Sequence, residues 1–329
     1  MSGVDLVTGG CGFLGRHVVA ALRARARPVR VLDIADPAGL PEDVEVVTGS
    51  VTDAQAVARA LPDVRRIFHL AAVPELWARD PDVFERVNYQ GTVTVLEAAR
   101  GKFDLEAFVY TGSEVTLVPR CGLPLPARLD ETLELPPESL IGAYAAAKRR
   151  AEQAVLDAAA SGVPAISAIP TMPLGPSDVH RTPPTRMVAD FLAGRTPAYA
   201  DVMMNVVDAR DCAEGHVRAA EQGTYGRRYL LAGSNVTMSA LLGELSLVCR
   251  KRMPHRRIPL WLARGFARLD TFFADTVTGK PPTAPRAGVE IACRQRPFDA
   301  QRARAELGFT TRPLSVTLAD TVAWLESEE

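Results

Sequence analysis

Residues 4–15 read VDLVTGGCGFLG, an apolar run of strand type followed by glycines in the spacing G-x-x-G-x-x-G. The next residues, Gly15 to Arg25, repeat their apolar positions at the period of a helix. A glycine turn between a strand and a helix lets the backbone approach a pyrophosphate, and free N–H groups at the helix N-terminus bind that anion. We therefore predict a dinucleotide-binding turn; the alternative is an ordinary strand–helix turn.

Short apolar runs alternate with helical patterns through the first half of the chain. We predict six strands there, at Val4–Val7, Val29–Leu32, Glu45–Val47, Arg66–Ala71, Ala107–Tyr110 and Ala165–Ile169. Strands separated by helices indicate a parallel sheet with helices on both faces. The predicted fold class is α/β, a Rossmann-like doubly wound parallel sheet with a smaller, mostly helical C-terminal substrate-binding part.

The character of the sequence changes after Pro170, where a proline-rich and irregular segment begins. A strand and a helix pattern return near residues 205–222, and helical patterns dominate from Val236 onward. We therefore expect residues 1–169 and 203–235 to form the dinucleotide-binding core. Residues 170–202 and 236–329 are expected to form a discontinuous substrate-binding part.

The composition argues against several classes of partner. A formal net charge of -1 and a pI near 6.6 speak against nucleic acid, whose partners usually carry a strong basic excess. No uninterrupted apolar stretch of about 18 residues predicts a membrane span, and the histidines lack the spacing of a metal site. The five scattered cysteines predict reduced thiols in a cytoplasmic protein, for which we expect a small-molecule substrate.

Asp33 ends the second predicted strand, about 20 residues beyond the glycine turn. An acidic side chain at that place accepts hydrogen bonds from the adenosine ribose hydroxyls and repels a 2′-phosphate, which favours NAD over NADP. Two alternatives stay open. Asp33 could simply form a turn, or the nearby Asp36 could take the ribose.

Tyr144 and Lys148 open a predicted helix in the pattern Y-x-x-x-K, and Ser113 ends the fifth strand. Residues four apart lie on one helix face, so the ammonium is expected near the phenol, where its charge lowers the tyrosine pKa. The tyrosine can then exchange a proton with a substrate oxygen while hydride moves to or from the cofactor. Alone, the pattern is common on surface helices; behind a serine-ended strand it predicts a catalytic triad.

Together with residues 68–72 (FHLAA) and Asn88 in VNYQGT, these motifs resemble the extended short-chain dehydrogenase/reductases, the NAD-dependent epimerase/dehydratase family. The stretches at 76–81, 141–144, 183–186, 192–199 and 205–207 are similar to the hopanoid-associated sugar epimerase, or dihydroflavonol-reductase-like, group. The resemblance implies that Ser113, Tyr144 and Lys148 are catalytic. It also suggests a homodimer through the long helices Val83–Arg100 and Tyr144–Ala160.

The expected cofactor site follows from the glycine turn and the resemblance. It comprises Gly9, Gly12, Phe13, Leu14, Gly15, Asp33, Ser50, Val51, Ala71, Ala72, Tyr144, Lys148, Pro170 and Met172. Relatives carry aspartate at the position of Ser50, a difference that weakens the expected contact with adenine. We expect NAD as the cofactor, with NADP as the less favoured alternative.

The substrate is the least determined part of the prediction. Members that act on nucleotide sugars commonly carry an arginine where this chain has Met204, and a thioether cannot neutralise a diphosphate. We therefore expect an apolar alcohol or ketone, such as a terpenoid, steroid-like or polyketide-derived molecule. The candidate substrate residues are Glu114, Met172, Arg186 and Met204. Alternatively, Arg186 or the basic turn Arg250–Arg257 grips a phosphate.

The predicted function is NAD(H)-dependent interconversion of a secondary alcohol and a ketone, with Tyr144 as acid and base. One alternative is a sugar or nucleotide-sugar epimerase or dehydratase that retains NAD; another is a non-catalytic NAD(P) sensor. The segment Ile258–Ala274 also has more than one interpretation. It could rest on lipid as a peripheral membrane contact, cover an apolar substrate, or pack on the core.

Overall fold

The computed structural model describes residues 3–328 and is built around a parallel sheet of seven strands. The strands, in chain order, are β1 Val4–Thr8, β2 Val29–Asp33, β3 Glu45–Thr48, β4 Val64–His69, β5 Ala107–Thr111, β6 Ala165–Pro170, β7 Met172–Leu174, β8 Ala198–Tyr199, β9 Met203–Asp208, β10 Arg228–Leu231, β11 Ser234–Thr237 and β12 Arg256–Arg257. The main sheet has the order β10-β6-β5-β4-β1-β2-β3, and the other strands form two small sheets.

The helices are α1 Phe13–Arg23, α2 Ala54–Ala60, α3 Gly91–Arg100, α4 Gly142–Ala160, α5 Pro183–Leu192, α6 Ala209–Gln222, α7 Met238–Cys249, α8 Leu260–Phe273, α9 Arg286–Arg294, α10 Gln301–Leu307 and α11 Leu314–Ser327. The chain builds outward from β1 to β3 and then returns to place β4 on the other side of β1. In an open parallel sheet, ligands bind at the carboxyl ends of the strands beside such a reversal. The predicted doubly wound α/β fold is confirmed.

Both faces of the main sheet are covered by helices and closed by apolar side chains. One buried cluster contains Val18, Val19 and Leu22 of α1 with Val217 of α6. The cluster on the opposite face combines residues of α2, α3 and α4. The inner strand β5 is buried along its whole length, as expected of a parallel strand with helices on both sides.

A second unit lies beside the sheet and has its own apolar cluster. It contains Leu174 of β7, Met204 and Val206 of β9, and side chains from α5, α7 and α11. The segment from Phe298 to Phe309, including α10, packs into a cluster of the main sheet instead. Packing therefore groups that segment with the core, whereas the sequence-based division placed it in the substrate-binding part.

The predicted strands and helices of the first half occur within about two residues of their expected bounds, the normal spread of boundary assignment. Two features differ. The predicted long helix Val83–Arg100 begins with a π-helical stretch, Phe84–Gln90, and the proline-rich segment contains the short strands β7 and β8. Strands of two or three residues are too short to show a period. Within residues 3–328, no helix combines the length and apolar character needed to cross a bilayer.

Asp5 is a charged residue in the middle of the sheet, on β1, and its side chain is fully buried. Arg66 on β4 donates to both carboxylate oxygens at 2.8 and 2.5 Å, and Arg27 donates to both at 3.1 and 2.9 Å. Four charge-assisted hydrogen bonds thus compensate the cost of removing one carboxylate from water. They join β4 and the start of β2 to the strand that lies between them.

We expect Asp5→Ala to lower the free energy of unfolding by about 3–5 kcal/mol, because the buried Arg66 guanidinium loses its bidentate partner and keeps only Glu221 at 3.9 Å. The matched control is Asp43→Ala, which removes a bidentate pair with Arg23 that is exposed to water. That change should cost far less, because water screens the exposed pair. Urea unfolding of both variants measures the difference, and equal losses would contradict the argument.

Candidate active site

The glycine turn is packed against the backbone that follows β4. Gly9 has φ +73°, and a Cβ there would lie 2.7 Å from the Ala71 nitrogen; a Cβ on Gly15 would lie 2.1 Å from the Gly9 carbonyl oxygen. α1 begins directly after the turn, and its N-cap residue Gly12 makes no side-chain capping hydrogen bond. No side chain therefore caps the N–H groups at the start of α1, an arrangement suited to a pyrophosphate.

Asp33 is held beside this turn at the end of β2. Its carboxylate accepts hydrogen bonds from the backbone nitrogens of Cys11 and Ala35, each at 2.9 Å. Burial, with the Asp33 charge, raises the pKa of the Cys11 thiol to about 11, so this cysteine stays protonated. Ser50 lies after β3, where its hydroxyl bonds the Thr52 hydroxyl at 2.8 Å, and Val51 beside it is buried. The residues expected to contact adenosine thus share one edge of the sheet.

A buried polar chain fixes the loop after β4, which contains Ala71 and Ala72. Thr8 Oγ1 lies 2.8 Å from His69 Nδ1, and His69 Nε2 lies 2.9 Å from Thr92 Oγ1. The Thr92 hydroxyl donates to the Asn88 carbonyl, so His69 carries its proton on Nε2 and accepts on Nδ1. Burial, helped by the Lys148 charge, lowers the His69 pKa to about 3 and keeps the ring neutral.

Asn88 completes this chain from within the π-helical stretch. Its side chain accepts from the Val73 nitrogen at 2.7 Å and donates to the Val73 carbonyl at 3.0 Å. π-helical turns are frequent at functional sites. Asn88 therefore holds the loop that runs from the cofactor edge toward Tyr144.

Ser113, Tyr144 and Lys148 meet at the carboxyl end of β5. Ser113 lies just beyond the end of β5, separated from it by Gly112. Tyr144 and Lys148 lie one turn apart on α4. The Ser113 side chain is close enough to the Tyr144 hydroxyl to lower its pKa, and Phe84 packs edge-on to the tyrosine ring with centroids 5.8 Å apart. The structure thus brings together the three residues that the sequence predicts to be catalytic.

Lys148 is buried, and its ammonium contacts two residues of β5. Its Nζ donates to the Thr111 carbonyl at 2.6 Å and lies 4.5 Å from the centre of the Tyr110 ring. Burial lowers the Lys148 pKa to about 7, a shift opposed by the Glu152 charge. Burial also raises the Tyr144 pKa, although the nearby Ser113 side chain opposes that rise. In this arrangement the Tyr144 pKa lies above its ordinary value, because desolvation outweighs the effect of Ser113.

Glu114, a candidate substrate residue, lies beside the same tyrosine. Gln295, just after α9, donates to a Glu114 carboxyl oxygen at 3.2 Å. Burial raises the Glu114 pKa to about 8, and the Gln295 hydrogen bond only partly offsets it. Gln295 is far from Glu114 in the sequence and has no local motif, so sequence reasoning missed it.

The other candidate substrate residues have different surroundings. Arg186 on α5 is exposed and lies 3.8 Å from Glu75, in the loop after β4. Met172, after Pro170 at the end of β6, is partly buried, whereas Met204 is only 8% exposed and packs inside the second unit. Side chains along a strand alternate in direction, and that of Met204 faces the core of the second unit. Met204 therefore does not line a substrate surface, contrary to the prediction. Within residues 3–328, no cluster of His, Cys, Asp and Glu has the arrangement of a metal site.

Residues 6–232 match the model of the NAD dependent epimerase/dehydratase family. The chain belongs to this family. The predicted NAD-dependent enzyme of the extended short-chain dehydrogenase/reductase type is therefore confirmed at the level of family and activity class. This match covers the glycine turn, Ser113, Tyr144 and Lys148.

Two relatives and one solved structure resemble the chain over nearly its full length. A putative dihydroflavonol 4-reductase of Synechocystis is 33% identical, covering 99% of this chain and 96% of the relative. The 4-hydroxy-2-methyl-3-oxo-4-farnesyl-3,4-dihydroquinoline-1-oxide ketoreductase of Stigmatella aurantiaca is 29% identical, covering 93% and 91%. The crystal structure of gox2253 has a TM-score of 0.83 and 32% identity, covering 99% and 98%.

Glu114→Gln should change how the stability of the protein depends on pH. The folded carboxyl has a pKa of about 8 and the unfolded one its usual value of 4.5. Between these values the folded state binds the extra proton, so wild-type stability falls as the pH rises through that window. A neutral glutamine removes this pH-dependent contribution to the free energy of unfolding.

Thermal unfolding from pH 4.5 to pH 8 measures the effect. We expect the Glu114→Gln variant to gain stability relative to wild type as the pH rises, with most of the gain reached by about pH 8. Parallel pH profiles for the two proteins would show that Glu114 keeps its ordinary pKa.

Proposed function

We propose that this family member interconverts a secondary alcohol and a ketone with NAD(H), using Tyr144 as proton donor and acceptor. The observation that carries the proposal is the position of Ser113, just after β5, beside Tyr144, with Lys148 one turn further along α4. A non-catalytic cofactor sensor has no need of this pair, and its presence with Lys148 favours an enzyme.

The residues would divide the chemistry as follows. Bound NAD(H) supplies the hydride acceptor or donor at the substrate carbon. During oxidation Tyr144 takes the proton from the alcohol oxygen, and during reduction it returns a proton to that oxygen. Ser113 holds the same oxygen by a hydrogen bond, and a protonated Lys148 stabilises the negative charge that proton loss leaves on Tyr144.

The substrate is proposed to be largely apolar. Arg186, the side chain considered as a diphosphate grip, has the carboxylate of Glu75 beside it, which opposes a second anion there. Leu76, Ile141 and Tyr144 are partly buried, and each packs against the apolar cluster on one face of the main sheet. A relative that carries the name of a farnesyl-quinoline ketoreductase supports the same class. The raised pKa of Glu114 also keeps this carboxyl uncharged near neutral pH.

NAD is proposed as the cofactor in preference to NADP. The Asp33 carboxylate lies where a 2′-phosphate of NADP would approach the turn. Arg16 is the nearby cation, but it donates to the carbonyls of Cys11 at 2.8 Å and Ala38 at 2.7 Å. These two hydrogen bonds occupy N–H groups of the Arg16 guanidinium that could otherwise bind a phosphate.

We also propose a cytoplasmic homodimer that associates through α3 and α4. These long helices cover one face of the sheet, and Arg150 and Gln153 of α4 present polar side chains outward. All five cysteines are free thiols, which supports a reducing compartment.

Tyr144→Phe should abolish most turnover, because it removes the proton donor and keeps the ring against Phe84. We expect at least a ~10²-fold loss in NADH-dependent reduction across a panel of steroid, terpenoid and polyketide ketones, with cofactor affinity kept. Tyr225→Phe is the control, since its exposed hydroxyl only donates to the Glu106 carbonyl.

Near-normal turnover of Tyr144→Phe would refute the catalytic assignment. A wild type that binds UDP- or GDP-sugars and ignores every apolar ketone would refute the substrate class. NAD that stays with the protein through gel filtration would identify the cycle of an epimerase or dehydratase instead.

Asp33→Ser should narrow the preference for NADH over NADPH, because it removes the charge that repels the 2′-phosphate. Asp36→Ser is the matched control, since its carboxylate accepts only from the Ala38 nitrogen within the following loop. Binding titrations of both cofactors measure the preference. If Asp36→Ser changes the ratio and Asp33→Ser does not, the ribose residue has been misassigned.

A further inference from the structure

Helix α8 has its large apolar side chains on the outside of the protein. Six such residues are more than half exposed: Trp261, Phe266, Leu269, Phe272, Phe273 and, in the following π-helical turn, Val277. At about 100° per residue, those within α8 lie on one face of about 140°. A continuous aromatic face of this kind marks a contact surface, whereas isolated exposed apolar residues do not.

The opposite face of α8 is polar and is fastened to the protein. Arg264 lies 3.2 Å from Glu290 of α9, and Asp270 accepts from the Ala284 nitrogen at 2.8 Å. The Thr271 hydroxyl accepts from the Arg286 nitrogen at 2.9 Å. These bonds fix the rotation of the helix about its axis. The aromatic face therefore cannot turn inward without breaking an ion pair and two hydrogen bonds.

A basic segment adjoins the aromatic face. From Arg250 to Lys280 the chain contains eight Lys and Arg against two Asp, a net charge of +6, in a protein whose formal net charge is -1. Arg252 and Arg256 in this segment are exposed. Of the two acidic residues, Asp270 faces the protein and Asp275 accepts from the Trp77 indole at 2.7 Å.

We propose that α8 and the basic segment form a surface that docks on an anionic lipid membrane. Tryptophan and phenylalanine enter the interfacial layer of a bilayer, and neighbouring arginines and lysines bind anionic headgroups. A second copy of the chain fits less well, because a twofold contact would bring two segments of like charge together. The helix lies in the membrane plane and does not span the bilayer.

The docking surface is close to the candidate active site. α8 packs on α9, where Ala287 lies 3.2 Å from a Cβ placed on Gly142, at the start of the helix that carries Tyr144. The end of α9 leads to Gln295, which contacts Glu114. An apolar substrate dissolved in the bilayer would thus be one helix away from the site. The docking itself does not depend on the proposed reaction.

Vesicle flotation with the full-length protein tests the proposal without substrate. We expect wild type to float with phosphatidylcholine vesicles in which about a third of the lipid is phosphatidylglycerol, and at least tenfold less with phosphatidylcholine alone. The triple variant Trp261→Ser, Phe266→Ser, Phe272→Ser should lose at least tenfold in binding. The double variant Arg252→Glu, Arg256→Glu should do the same.

Matched controls distinguish binding through this surface from non-specific binding to the vesicles. Phe103→Ser removes a fully exposed aromatic elsewhere, and Arg59→Glu with Arg100→Glu makes the same charge change on α2 and α3. Both controls should float like wild type, as should Tyr144→Phe. Circular dichroism confirms that each variant is folded, and light scattering reports its oligomeric state.

Wild type that stays in the aqueous fraction with anionic vesicles would overturn the proposal. So would aromatic and charge variants that both float like wild type. Loss of an oligomer in the triple variant, with no vesicle binding by wild type, would make the face an interface between copies. Because flotation needs no turnover, failure here leaves the proposed reaction untouched, and failure of the ketone assay leaves the docking result untouched.

Discussion

The contact between the glycine turn and the loop after β4 is the steric constraint on which the site depends. Side chains at Gly9 or Gly15 would occupy space that backbone already fills. Because β1 and β4 are neighbours at the point where the sheet reverses, this contact closes one end of the candidate cofactor crevice. From there the Thr8–His69–Thr92 chain reaches Asn88, and Asn88 fixes the loop that leads toward Tyr144.

Desolvation is the common cause of the electrostatics around Tyr144. It moves the pKa of Glu114 up to about 8 and that of Lys148 down to about 7, each toward the neutral form at physiological pH. His69 is neutral for the same reason. An uncharged Glu114 beside Tyr144 suits the largely apolar substrate that we propose.

The sequence was sufficient for those parts of the molecule that local patterns encode. The glycine turn, the alternation of strands and helices, and the Tyr144–Lys148 spacing all have a fixed period or offset, and the structure places them as predicted. Gln295 contacts Glu114 across 181 residues, a pairing that no local pattern contains. Met204 was misjudged for a related reason, since a strand pattern does not say which of its two faces meets the core of a second unit.

Helix α8 is a second case in which the sequence pattern does not determine which face of an element meets the protein. The sequence separates a polar stripe from an aromatic one, yet periodicity does not determine which stripe faces the protein. Tertiary partners decide this, and Glu290, Ala284 and Arg286 all engage the polar stripe. Burying one large apolar side chain is favourable by roughly 1.5–3 kcal/mol. Three polar contacts keep the aromatic face exposed to water, so its transfer into an apolar phase outside the protein is favourable. The basic segment favours a phase whose surface is anionic.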